Sequence, residues 1–182
     1  MIAQNCETTP RVTPPTTLVL GGARSGKSVY AEGLLAGAAA LYIATGQAFD
    51  DEMAERIRLH RDRRGPDWTT LEEPLELAAC LDRHLSPDRA ILVDCLTLWI
   101  SNLMHAGLDV GRETDRLAEL LQDPAGPVVL VSSEVGLGLV PDNKMAREFR
   151  DHQGRVNQKL ASVCRRVVFV AAGLPLIMKD TL

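Results

Sequence analysis

The residues with the clearest chemistry in this 182-residue chain form the run GGARSGKS at Gly21–Ser28. It is the G-x-x-x-x-G-K-[ST] pattern, placed between the apolar run Leu18–Leu20 and a helix-compatible stretch at Val29–Ala39. The glycines let the backbone curl so that N–H groups converge on an anion, and the following helix adds its positive N-terminal end. We predict that Lys27 reaches the β- and γ-phosphates and that the Ser28 hydroxyl lies on Mg²⁺. The chain is therefore expected to bind a nucleoside triphosphate.

A carboxylate that could complete this site is Asp94, which ends the apolar run Ala90–Asp94. An acid at the carboxyl end of a neighbouring strand is where a P-loop protein holds its Mg²⁺. We therefore predict a metal site formed by Ser28 and Asp94. The alternative is that Asp94 caps the helix expected to begin at Leu96.

The residue most suited to nucleophilic chemistry is His60. On the helix predicted over Asp50–Arg64, Met53, Ile57 and His60 lie on one face by their i, i+4, i+7 spacing. Neighbouring arginines are Arg56, Arg61, Arg63 and Arg64. They favour contact with a phosphate and keep an imidazole neutral, hence nucleophilic. The alternative is a histidine that only interacts favourably with the helix dipole.

Other charged residues allow both a structural and a functional interpretation. Glu72 and Glu73 precede Pro74, where a helix is expected to begin, and the simplest role for them is N-terminal capping. Glu134 opens a glycine-rich loop and is either a base for a substrate hydroxyl, a partner of the metal site, or a surface acid. The last long helix carries arginines that either clamp a phosphate or form a solvated face. These are Arg147, Arg150 and Arg155.

Short apolar runs alternate with longer amphipathic stretches along the chain. Strands are predicted at Leu18–Leu20, Leu41–Thr45, Trp68–Leu71, Ala90–Asp94, Pro127–Ser132 and Arg166–Ala172, with Leu174–Met178 pairing back as a hairpin. Further helices are predicted at about Pro74–Leu85, Leu96–His105, Glu113–Gln122 and Asp142–Cys164, the last with a break near Gly154. Continuous apolar runs between helices indicate an α/β fold whose mostly parallel sheet is covered on both faces.

Composition narrows the class of protein. The net charge is −4 and aromatic residues make up 4%, which disfavours a nucleic-acid-binding protein. No apolar run reaches membrane-spanning length. Residues 1–17 lack a secretory signal and are interpreted as a flexible leader before one domain at 18–182. Four cysteines without C-x-x-C spacing favour a reducing cytoplasm, with Cys95 and Cys164 expected as buried thiols.

Several longer segments resemble one family, the bifunctional adenosylcobinamide kinase / adenosylcobinamide-phosphate guanylyltransferases of cobalamin biosynthesis. The resemblance rests on GGARSGKS, YIATGQAFDDEMAERIRLHRDRR, ILVDCLTLW, VSSEVGLGLVP and GRVNQKLA, in that order along the chain. It implies a RecA-like P-loop fold and a homotrimer. It also implies two reactions: phosphorylation of the aminopropanol hydroxyl of adenosylcobinamide by ATP or GTP, then transfer of GMP from GTP through a histidine, with loss of pyrophosphate.

The resemblance also implies roles for individual positions. His60 would be the guanylylated nucleophile, acting with Lys27. The nucleotide would be bound by Gly21, Gly22, Ala23, Arg24, Ser25, Gly26, Lys27, Ser28, Ala44, Thr45, Gly46, Arg61, Asp62, Arg63, Arg64, Glu72 and Asp94. At the position of Asp94 some relatives carry Glu, and either carboxylate can hold Mg²⁺.

Three other functions are compatible with the P-loop. One is a small-molecule kinase with a single activity, in which His60 is structural. Another is a RecA-like ATPase or nucleotide-dependent switch acting on a macromolecule, which the modest acidic charge supports little. The third is a nucleotide-binding scaffold without turnover. A covalent GMP adduct would exclude the single-activity kinase. Hydrolysis stimulated by nucleic acid or protein would indicate the ATPase or switch, and GTP binding without consumption would indicate the scaffold.

Overall fold

The computed structural model describes residues 15–46 and 68–181 and contains one seven-stranded sheet. The strands are β1 (Thr16–Gly21), β2 (Ala40–Ala44), β3 (Trp68–Glu72), β4 (Ala90–Asp94), β5 (Val128–Ser133), β6 (Arg166–Ala171) and β7 (Leu174–Asp180). The described helices are α1 (Lys27–Leu34), α2 (Leu77–His84), α3 (Leu96–His105), α4 (Val110–Leu120) and α5 (Lys144–Val163).

The strand order is β3-β2-β4-β5-β1-β6-β7, and every pair is parallel except the antiparallel hairpin of β6 and β7. β5 therefore separates β4, which carries Asp94, from β1, which leads into the P-loop. In the register, Gly21 pairs with Ser133, and Asp94 pairs with Val131. The carboxyl ends of these three strands meet at one edge of the sheet, where ligands bind in open α/β folds.

The central strands are buried on both faces, which explains their continuous apolar sequences. Leu18, Ile43, Ile91, Leu92 and Leu130 are fully buried. On one face, Trp99 of α3 is also fully buried, and its indole N–H donates to the carbonyl oxygen of Leu75 at 2.9 Å. The pairing satisfies the indole donor and joins α3 to the chain that follows β3.

The predicted elements occur, with boundary differences that have local causes. β1 begins at Thr16, so Thr16 and Thr17, which we assigned to the leader, are buried strand residues. α1 ends at Leu34 rather than Ala39, and Gly37 beyond it has a φ of +83° that a right-handed helix does not use. α5 continues through Gly154. A mid-helix glycine costs about 1 kcal/mol, which the packing of the buried face offsets.

Two other helices begin elsewhere than predicted. α2 starts at Leu77 and not at Pro74, because Pro74–Glu76 forms a turn held by Glu73. α4 starts at Val110, three residues before the predicted Glu113, since the Asp109 carboxylate caps it by accepting from the Arg112 backbone N–H at 3.1 Å. The predicted helix Asp50–Arg64 lies outside the described residues, as does most of the leader.

Two observations concern the features that composition led us to examine, membrane-spanning segments and cysteines. Across residues 15–46 and 68–181, no helix is both long and apolar enough to cross a bilayer. Cys80, Cys95 and Cys164 are free thiols; Cys164 is fully buried as predicted, whereas Cys95 is only partly buried.

Candidate nucleotide-binding site

The loop Gly21–Ser28 has the geometry of an anion-binding nest. Gly26 has a φ of +91° and Arg24 a φ of +54°, and these left-handed residues turn the backbone just before α1 begins at Lys27. The Ser25 N–H donates to the Gly22 carbonyl oxygen at 3.3 Å, closing the turn. The Lys27 ammonium donates to the same oxygen at 3.1 Å and so lies over the loop. This places a positive charge beside the N-terminal end of α1, where phosphate binds.

The loop is supported from two sides by neighbouring strands. The Gly173 N–H, in the turn between β6 and β7, donates to the Ser25 carbonyl oxygen at 2.8 Å. The Glu134 N–H, just after β5, donates to the Gly21 carbonyl oxygen at 3.0 Å. A Cβ at Gly21 would lie 2.5 Å from both the Ser25 Oγ and the Val170 carbonyl oxygen, so only glycine fits there. The loop is thus held rigidly in shape.

Asp94 lies at the end of β4, two strands from β1, hence about 10 Å across the sheet from the start of the P-loop. The next residue, Cys95, is the N-cap of α3. Burial raises the pKa of the Cys95 thiol to about 11; the charge of Asp94 also raises it, and that of Lys27 lowers it. Asp94 and Lys27 are thus both close enough to Cys95 for their charges to act on its thiol.

Three of the predicted nucleotide-binding residues, Ala44–Gly46, lie at the end of β2 beside β4. The Thr45 hydroxyl donates to the Cys95 carbonyl oxygen at 2.6 Å and accepts from the Cys95 N–H at 2.9 Å. The Asn102 side-chain amide donates to the carbonyl oxygens of Thr45 at 2.7 Å and Pro74 at 3.1 Å. The ends of β2 and β3 are thereby fixed to α3. Asn102 was not among the predicted site residues, because neither its residue type nor its spacing in the sequence indicated this role.

The two glutamates after β3 differ in their roles. Glu73 accepts from the N–H groups of Leu75 at 3.1 Å and Glu76 at 2.8 Å and so holds the turn before α2. It does not cap the helix as predicted, because the N-cap residue of α2 is Glu76 and, among the described residues, no side chain accepts from the first turn. Glu72 is exposed at the end of β3 and pairs in register with Ala44. It lies at the outer end of the sheet, two strands from Asp94.

The arginines of α5 are not gathered into a clamp. Arg147 donates to the carbonyl oxygens of Pro141 at 3.0 Å and Asp142 at 2.7 Å, so it holds the chain that enters α5. Arg150 pairs with Asp151 at 3.2 Å, and Arg155 is exposed. Arg155 is exposed, as a solvated face predicts, whereas Arg150 is partly buried.

Mg²⁺ is compatible with what the site offers. In the part of the chain that the structure describes, no three acids, histidines or cysteines converge as a protein-only metal cage. The hydroxyl of Ser28 at the start of α1 and the carboxylate of Asp94 are hard oxygen donors at one edge of the sheet. Mg²⁺ is commonly held by one or two such groups together with phosphate oxygens and water. The donor set therefore fits this ion when a nucleotide is bound.

The remaining predicted site residues fall outside the described ranges. These are His60, Arg61, Asp62, Arg63 and Arg64. Their placement relative to the P-loop stays a prediction.

Comparison with known protein families gives one clear match. Residues 17–178 match the family described as "Cobinamide kinase / cobinamide phosphate guanyltransferase". The bifunctional adenosylcobalamin biosynthesis protein CobP of Pseudomonas aeruginosa is 50% identical over 168 residues, covering 89% of this chain and 96% of that protein. The bifunctional adenosylcobalamin biosynthesis protein CobU of Salmonella typhimurium is 42% identical over 181 residues, covering 89% and 98%.

Solved structures share the fold at low sequence identity. A protein from Pyrococcus horikoshii OT3 superposes with a TM-score of 0.55 at 10% identity, covering 93% of this chain and 88% of that one. An ATPase from a bacterial type III secretion system superposes with a TM-score of 0.52 at 12% identity, covering 93% and 57%. The predicted P-loop fold, with its mostly parallel sheet and C-terminal hairpin, is confirmed.

Proposed function

The chain belongs to the cobinamide kinase / cobinamide phosphate guanyltransferase family, and on that premise we propose how its residues divide the two reactions. It is a cobinamide kinase and cobinamide-phosphate guanylyltransferase of cobalamin biosynthesis. The observation that carries this conclusion is the nucleotide-binding loop at Gly21–Ser28, within a family match that spans nearly the whole chain.

In the kinase reaction, the P-loop binds the phosphates of ATP or GTP. The N–H groups around Gly26 and the N-terminal end of α1 face the phosphates, and Lys27 contributes a charge beside them. The acceptor is the aminopropanol hydroxyl of adenosylcobinamide. Charge that develops on the transferred phosphoryl group is stabilised by donors already fixed in place, which is the main source of catalysis in phosphoryl transfer.

In the guanylyltransferase reaction, we propose that His60 is the nucleophile. A bond forms between an imidazole nitrogen and the α-phosphorus of GTP while the bond to the pyrophosphate oxygen breaks. The phosphate of adenosylcobinamide phosphate then attacks the same phosphorus, and the phosphorus–nitrogen bond breaks to regenerate the histidine. The product is adenosylcobinamide-GDP. Covalent catalysis of this kind divides one difficult displacement into two easier ones.

The other nucleotide contacts that we propose lie on both sides of His60 in the sequence. They are Ala44, Thr45, Gly46, Arg61, Asp62, Arg63, Arg64, Glu72 and Asp94. Support comes from Thr45, whose hydroxyl and carbonyl oxygen are fixed at the strand end beside Asp94. Glu72 has weaker support because it lies at the outer strand of the sheet.

We propose that Ser28 and Asp94 hold Mg²⁺ together with the nucleotide phosphates. The ion would neutralise charge on the triphosphate. The chain's own contribution is to keep the Asp94 carboxylate at the end of β4, where Cys95 and Thr45 fix the backbone that follows it.

We also propose a cytoplasmic homotrimer. The thiols of Cys80, Cys95 and Cys164 are free, as in a reducing compartment. The edge strand β7 exposes four large apolar residues, a surface of the kind that subunits cover. They are Leu174, Leu176, Ile177 and Met178. Light scattering of the chain and of an Ile177→Lys variant tests this: a trimer that the variant dissociates is expected, and a monomeric unaltered chain would contradict it.

The experiment that tests the overall function is incubation of the protein with adenosylcobinamide, GTP and Mg²⁺, followed by mass analysis. We expect adenosylcobinamide phosphate first and then adenosylcobinamide-GDP with pyrophosphate. A control with adenosylcobinamide phosphate in place of adenosylcobinamide isolates the second reaction. Accumulation of the phosphate alone, with no GDP-linked product, would contradict the transferase assignment.

A further inference from the structure

Glu134 is held beside the P-loop by three successive backbone contacts. The Ser133 N–H donates to the Thr97 hydroxyl at 2.8 Å, and the Ser133 carbonyl oxygen accepts from the Asn157 amide at 3.0 Å. The Glu134 N–H then donates to the Gly21 carbonyl oxygen at 3.0 Å. The end of β5 is thus fixed to α3, to α5 and to the first residue of the nucleotide-binding loop.

The contact from α5 belongs to a fully buried polar network. The Ser132 hydroxyl donates to the Asn157 side-chain oxygen at 2.7 Å, and the Gln153 amide donates to the Ser132 hydroxyl at 2.8 Å. Ser132 and Gln153 are completely buried. Hydrogen bonds within a buried network restrict the motion of its members, although the side-chain oxygen of Gln153 has no partner among the described residues. The backbone that carries Glu134 therefore has little freedom to move away from the P-loop.

The Glu134 carboxylate is also fixed in direction. Its Oε1 accepts from the Gly136 N–H at 2.6 Å, and a Cβ at Gly136 would lie 2.8 Å from that oxygen. Among the described residues, no hydrogen bond to the other carboxylate oxygen occurs. The side chain is half-buried, and the loop that follows it is exposed at Leu137 and Leu139. One oxygen anchors the group, and the other remains available to a substrate.

Other described acids near this edge are less suited to receive a proton from a substrate hydroxyl. Asp94 is the proposed metal ligand, and a metal-bound carboxylate is a weak base. Glu73 follows β3, the outermost strand of the sheet, and holds the turn before α2. Glu72 lies on β3, four strands from β1 and therefore about 19 Å across the sheet. Glu134 directly follows β5, the strand that lies between β4 and β1.

We propose that Glu134 is the general base of the kinase reaction, an inference that rests on the proposed function. The substrate O–H bond breaks and its proton passes to the Glu134 carboxylate, while the substrate oxygen bonds to the γ-phosphorus. The bond from that phosphorus to its bridging oxygen breaks, and the nucleoside diphosphate leaves with the electron pair. The guanylyl transfer needs no such base, because its acceptor is already an anionic phosphate.

The test compares the two reactions in a Glu134→Gln variant, which keeps the shape of the side chain. We expect phosphorylation of adenosylcobinamide to fall on the order of 10²-fold or more in kcat, as losing a general base does. GMP transfer to supplied adenosylcobinamide phosphate should remain within about 3-fold, and GTP affinity by calorimetry within about 3-fold. Glu134→Asp should recover part of the kinase rate. Glu119→Gln, on the exposed face of α4, is the matched control.

Each result of this comparison either supports or overturns the proposed role of Glu134. Selective loss of the kinase reaction, with disappearance of the acid limb of its pH–rate profile, supports the proposal. Kinase activity near that of the unaltered chain overturns it. Parallel loss of phosphorylation, GMP transfer and GTP affinity also overturns it, since Glu134 would then act only by supporting the P-loop. Absence of both reactions in the unaltered chain would overturn this inference and the proposed function together.

Discussion

The backbone N–H of Gly173 donates a 2.8 Å hydrogen bond to the carbonyl oxygen of Ser25, joining the C-terminal hairpin to the P-loop. The turn that makes this contact has two left-handed residues, Ala172 at φ +51° and Gly173 at φ +78°. A Cβ at Gly26 would lie 3.2 Å from the Gly173 Cα. The hairpin thus packs closely against the loop and limits which residues the loop can contain.

This packing predicts that Gly26→Ala weakens nucleotide binding. The φ of +91° at Gly26 costs an L residue about 1–2 kcal/mol, and the added methyl group would press on the hairpin turn. We expect GTP affinity, measured by calorimetry, to fall by about 5- to 30-fold, the factor that corresponds to this cost. Gly138→Ala is the control, since a Cβ there meets no atom within 4 Å. Unchanged affinity in Gly26→Ala would contradict the role of this geometry.

A second prediction concerns Lys27, whose ammonium lies over the loop on the Gly22 carbonyl oxygen. Lys27→Ala should lower the rate of adenosylcobinamide phosphorylation on the order of 10²-fold or more, because a fixed charge beside the transferred group is lost. Lys144→Ala, in the first turn of α5 and strongly exposed, should leave the rate unchanged. Phosphorylation by Lys27→Ala at a near-normal rate would refute the phosphate-binding role.

A third prediction follows from the buried thiol of Cys164. Burial raises the pKa of Cys164 from 9.0 to about 12, although the Lys179 charge opposes this. Below pH 9 both the folded and unfolded states keep the proton, so the thiol adds no pH dependence. Above that value the unfolded chain loses the proton first. The free energy of unfolding should then fall with rising pH, by up to about 1.4 kcal/mol per pH unit for this group.

Urea unfolding at several pH values from 8 to about 10.5 measures this decline. A Cys164→Ala variant is expected to be less stable at every pH but to lose stability less steeply above pH 9. The comparison cancels the contributions of tyrosines, lysines and other thiols. If the free energy of unfolding falls equally steeply with pH in the two proteins, Cys164 does not retain its proton in the folded state.

Much of the fold could be predicted because the P-loop motif and the apolar runs indicate the same strands and helices. The P-loop requires a strand before it and a helix after it, and continuous apolar runs such as Val128–Val131 suit only buried strands. Boundaries were less predictable. Pro74 resembles a helix start, yet the Glu73 carboxylate holds the next residues in a turn. Gly154 resembles a helix break, yet tertiary packing carries α5 through it.

The site could be predicted only in part. Gly21–Ser28 is visible because its chemistry depends on local spacing. The position of Asp94 at the end of a strand is visible because it closes an apolar run, and its metal-binding role stays a prediction. The contacts of Thr97, Asn102 and Asn157 join residues from 24 to 57 positions apart, and no spacing rule reports them. The proximity of Glu134 to Gly21 likewise depends on the strand order, which places β5 beside β1.

The central claim is that His60 carries GMP during the transfer reaction. The direct test is incubation of the protein with GTP labelled at the α-phosphate, followed by denaturation at alkaline pH and detection of label on the chain. We expect label on the unaltered protein and on the control His105→Ala, an exposed helix residue, and none on His60→Ala, which should still phosphorylate adenosylcobinamide. Label retained by His60→Ala would contradict the account.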